Sequence, residues 1–187
     1  VEENQVTYEQ LCTFKILYYL WSNENEILKN LEFSIWELLI NSIVKFPCST
    51  DSNEETTKNA MLSVVYSKNS EFINNLIMEM LEKENKNSDT LFSIRLAESI
   101  WNENLVNKIV TKYKNEELSA KSLEFILENA PDNKIQFFYD FLFTIAENIR
   151  QVNQYKRELI INSVQIYMKF FREEYWLLVW SYMEVDI

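Results

Sequence analysis

Apolar residues return every three or four positions along most of this chain, the spacing of an α-helix that buries one face. Thr7-Tyr8-Glu9-Gln10 has the spacing of a capping box and opens a helix running to about Trp21, with Tyr8, Leu11, Phe14, Leu17 and Tyr18 along one stripe. "SNENE" (22–26) then restarts the chain with acids at the positive end of a helix dipole. This second helix runs to about Phe46, because Pro47 disfavours helical geometry in the residue before it. Its apolar positions are Ile27, Leu28, Leu31, Ile35, Leu38, Leu39 and Ile43.

A loop over 47–56, beginning "PCSTDSNEE", divides this N-terminal helical hairpin (1–46) from a run of helices (57–187). The pattern beyond the hairpin predicts helices near 55–67, 70–84, 89–101, 103–114, 118–129, 132–151, 153–171 and 173–185. Ser70, Asp89 and Asp132 stand where N-caps belong, and Pro131 stops one helix as Asp132 begins the next. The expected fold is all-α, about ten antiparallel helices joined by short polar turns.

Three segments, "EFINNLIMEMLEK", "KSLEFILENAPD" and "IQFFYDFLFTIAEN", share an apolar rhythm of similar phase. Joined as "KSLEFILENAPDNKIQFFYDFLFTIAEN", the last two place the end of one helix pair directly before the start of the next. In this the chain resembles HEAT or armadillo repeats over residues 57–170. The resemblance implies an α-solenoid, whose stacked units expose a long concave surface to proteins or peptides. An irregular closed helical bundle is the other architecture that the same helices allow.

Composition narrows the chemistry. The chain has 187 residues, the size of one domain, and 47% of them are apolar, too many for disorder even at a net charge of −11. It contains no glycine, which excludes a Walker loop or a Rossmann fingerprint, and no histidine, which excludes the common nucleophilic triads and HExxH zinc sites. Carboxylates remain, yet "DSNEE" (51–55) lacks the central glycine and distal glutamate of a calcium loop. No catalytic residue, cofactor or metal ligand is expected. Cys12 and Cys48 are too few for a disulfide framework and are read as small packing residues in a reducing, intracellular compartment. The densest basic stretch, Lys108 to Lys114, holds three lysines, so nucleic acid is not an expected partner. The first methionine is Met61, and residues 1–10 carry three acids and no base, so the chain is expected to be a piece of a longer protein and to start without a signal peptide.

The C-terminal "FFREEYWLLVWSYMEVDI" is too short in apolar residues to span a bilayer. Drawn as a helix it carries two apolar stripes, one with Phe171, Tyr175, Leu178, Tyr182 and Val185, the other with Trp176, Val179, Trp180 and Met183. One stripe can pack on the preceding "ELIINSVQIYMKFF". The second is buried in a closed bundle, or seats a further repeat, or anchors a partner. On the last reading the binding residues are Tyr175, Trp176, Val179, Trp180 and Met183, with self-association through this helix a further expectation. Trp21, Trp36 and Trp101 are read as core, and Glu79, Glu82 and Glu84 as a solvated face that would steer a basic peptide if it lined a groove.

The function these features imply is a non-enzymatic interaction scaffold or adaptor of an intracellular transport, regulatory or chromosome-associated assembly, binding a protein or peptide. A compact host-interaction protein from an AT-rich pathogen is the second reading, and a carboxylate-dependent enzyme the third.

Overall fold

The computed structural model describes residues 6–48, 52–87, 91–97, 100–147 and 157–171. Among them there are eight α-helices, one 3₁₀ helix and no strand. No described helix is long and apolar enough to cross a membrane. The chain packs as two compact units, the first comprising residues 1–77 with 96–100 and the second 78–95 with 101–187.

The first unit contains α1 (Tyr8–Lys29), α2 (Phe33–Val44), α3 (Asn53–Lys68) and the start of α4 (Ser70–Asn87). The capping box at Thr7 forms as expected: Gln10 N donates to Thr7 Oγ1 at 3.2 Å and Thr7 N to Gln10 Oε1 at 3.0 Å. The break expected at "SNENE" becomes a kink inside α1, with Glu24 at φ −144°, ψ 48°. Its cause is local. Ser22 Oγ donates to the Tyr18 carbonyl and Asn23 Nδ2 to that of Tyr19, competing with the helix for the same acceptors.

The chain instead breaks at residues 30–32, where the Asn30 side chain and N–H both bond the Glu26 carbonyl. The expected continuous helix over 23–46 is therefore wrong, and of its expected apolar positions Leu28 and Ile43 are buried while Ile27, Ile35 and Leu38 are exposed. Restarting at Phe33 turns Trp36, Ile40, Ile43 and Val44 into the core and leaves Ile35 and Leu38 outside. Rotation toward Trp36 buries the largest apolar side chain of the segment, which outweighs a leucine.

α1, α2 and α3 pack against one another around Phe14, Leu17, Trp36, Ile40, Met61, Leu62 and Val65. Phe14 stacks on Phe46 at 3.9 Å between ring centroids, and Phe33 meets Phe72 edge-on at 5.2 Å. "DSNEE" is a helix start: Ser52 Oγ accepts from Glu55 N, and Glu54 and Glu55 fill the first turn of α3. The cap of α4 is Asn69, whose side chain accepts from Phe72 N at 3.0 Å, one residue before the expected Ser70.

The second unit holds the rest of α4, most of the 3₁₀ helix (Phe92–Ala97), α5 (Glu103–Lys114), α6 (Ala120–Asn129), α7 (Asp132–Glu147) and α8 (Arg157–Phe170). A 3₁₀ helix stands where an α-helix over 89–101 is expected. Leu91, Ile94, Ala97 and Ile100 are buried at three-residue intervals, as eclipsed 3₁₀ positions are, and Ser93 and Leu96 are buried beside them. Asp89, expected as a cap, lies outside the described residues.

α5 ends in a Schellman motif. Glu117 N bonds the Lys112 carbonyl at 2.9 Å, Glu116 N bonds that of Tyr113 at 3.0 Å, and Glu116 takes φ 62°. A glycine normally occupies that position, and this chain has none. Asn85 of α4 holds the turn that follows: its Oδ1 accepts from Ser119 N and Ser122 Oγ while its Nδ2 donates to the Glu117 carbonyl. Beyond the turn, α5 packs on α7, α6 on α8 and α7 on α8. The α7–α8 seam is aromatic, with Tyr139, Phe143, Tyr167 and Phe171 within 6.1 Å of one another wherever their rings pair. Lys169 ties α8 to Glu124 and Glu128 of α6.

Candidate functional site

Tyr175, Trp176, Val179, Trp180 and Met183, the expected binding residues, lie outside the described residues. Of the tryptophans read as core, Trp36 and Trp101 are buried and Trp21 is partly exposed. Cys12 and Cys48 are free thiols at intermediate exposure rather than deep packing residues. The solvated acid face is in part occupied: Glu82 pairs with Lys112 at 2.8 Å, and Glu84 accepts from Ser93 N and Ser93 Oγ.

Of the ionisable groups that burial perturbs, Lys58, Glu84 and Tyr113 are engaged in hydrogen bonds within the fold. Burial lowers the pKa of Lys58, but its ammonium donates to the carbonyls of Val44 and Phe46 at 2.9 and 3.0 Å. Burial also pushes the Cys48 thiol up, against the pull of Lys58, so it stays protonated at neutral pH and unactivated as a nucleophile. Burial raises Glu84, while the two bonds from Ser93 oppose the shift. In the second unit a cleft of about 240 Å³ lies over buried Tyr113, Leu118 and Leu159. The Tyr113 hydroxyl beneath it pairs with Ser163 Oγ at 3.2 Å, and burial raises its pKa. Ser119, the hydroxyl at the rim of that cleft, is engaged in capping α6, where its Oγ accepts from Ser122 N. Among the described residues no three His, Cys, Asp or Glu side chains are grouped to hold a metal.

One feature that no fold requirement explains is the outer face of α1. Phe14 and Leu17 point into the core. At about 100° per residue, Tyr8, Cys12, Ile16 and Tyr19 share an arc of about 80° on the opposite side. Tyr8 is 80% exposed, Tyr19 66% and Ile16 61%. An ordinary surface helix has one apolar face, whereas α1 has two. The sequence pattern sets Tyr8 in the buried stripe with Phe14; it lies outside because its phase places it with Tyr19, beside the thiol of Cys12, whose hydrogen bond raises the tyrosine's pKa. Two apolar faces are expected at the other end of the chain, from Trp176 and Trp180. Residues 8–23 carry a second face of the same kind.

Glu9 in the first turn and Glu24 at the kink are exposed, with no partner among the described residues. The one lysine between them, Lys15, is turned to Glu54 of α3, with its ammonium 5.1 Å from the centroid of Phe46. Glu26 pairs with Lys29.

Comparison of the chain with protein-family models, with curated proteins and with solved structures returned no match.

Proposed function

We propose that this chain is a non-enzymatic protein-interaction module, a HEAT/armadillo-like helical array acting as a scaffold or adaptor in an intracellular assembly. The observation that carries the interaction reading is the second apolar face of α1. Exposed clusters of large apolar side chains on a helix are what a partner covers, and tyrosines are enriched among the residues that dominate such interfaces. The array reading draws on the second unit, where α5 lies on α7 and α6 on α8, alongside the sequential pair α7 and α8. The non-enzymatic reading draws on a sequence without histidine or glycine, and on the use of Lys58, Glu84 and Tyr113 as internal hydrogen-bonding groups.

The test is affinity purification from the native source, run in parallel with the wild type and Ile16→Ser/Tyr19→Ser. The expected result is a protein recovered stoichiometrically with the wild type and lost with the variant, whose urea melt is unchanged. Equal recovery by the two proteins removes α1 from the interface and the reading with it.

A further inference from the structure

We draw no further inference here: the strongest candidate, the outer apolar face of α1 formed by Tyr8, Ile16 and Tyr19, stands exposed, and nothing in the structure shows what covers it.

Discussion

The ammonium group of Lys58 on α3 lies 2.9 Å from the carbonyl oxygen of Val44, the last residue of α2, and 3.0 Å from that of Phe46. The last carbonyls of a helix lack intrahelical partners and carry the negative end of its dipole. A buried lysine is tolerated there because its charge meets that end and its protons meet those oxygens.

Lys58→Met, which keeps the apolar stem, should destabilise the chain by about 1–3 kcal/mol, the range for removing a charged partner from buried acceptors. Lys15→Met, which breaks an exposed ion pair, should cost about 1 kcal/mol or less. Urea melts of the two variants make the comparison. Equal losses would mean that the Lys58 contacts contribute nothing beyond a surface pair.

Glu116, at φ 62°, carries the steric penalty of left-handed geometry on a residue with a Cβ. Glycine removes the penalty and loses part of the gain to its freer unfolded chain. Glu116→Gly should therefore be more stable than Glu116→Ala by about 1 kcal/mol, each variant having lost the same glutamate contacts. A thermal or urea comparison with alanine equal to glycine would show that the turn relaxes out of the left-handed region.

The two faces of α1 should respond oppositely to truncation. Phe14→Ala empties a fully buried site stacked on Phe46 and should cost about 3–5 kcal/mol. Ile16→Ser and Tyr19→Ser should each stay within about 0.5 kcal/mol of the wild type, as solvent-facing positions do. Far-UV circular dichroism under urea measures all three. A large loss at Ile16 would show that its face is covered within the chain.

Glu84 predicts a pH dependence. Burial holds its carboxyl above the ordinary range, so the folded chain binds that proton more tightly than the unfolded one. Its contribution to stability is greatest below the unfolded value and is lost as pH rises through the folded one. Glu84→Gln removes the titration and keeps an acceptor for Ser93. Wild-type stability measured against this variant should fall as pH rises through and above the ordinary carboxylate range. A flat difference would mean that the two bonds from Ser93 cancel the burial.

Much of the fold is legible in short-range signals. The Thr7–Gln10 capping box, the stop at Pro131 and the start at Asp132 are each written in a few adjacent residues, and each forms where it is read. Other signals are present but compete with stronger ones. Ser52 before Glu54 and Glu55 is a cap signal inside what reads as a loop, and Leu91, Ile94, Ala97 and Ile100 spell a three-residue period within an apparent α-helix.

By itself the sequence determined that the chain is helical, where most helices begin and end, and which catalytic machinery it cannot build, because these depend on backbone propensity and on residue types present or absent. Tertiary structure decided the phase. Whether Leu38 or Trp36 faces inward depends on a break at residues 30–32 that side-chain bonds to the Glu26 carbonyl place, and on the size of the space α1 and α3 leave for α2. It likewise decided which apolar stripe of α1 is core, because periodicity marks two stripes alike and only the neighbours packed on Phe14 and Leu17 choose between them. Lys58 is the same case: nothing in its local sequence separates it from an exposed lysine until α2 ends against it.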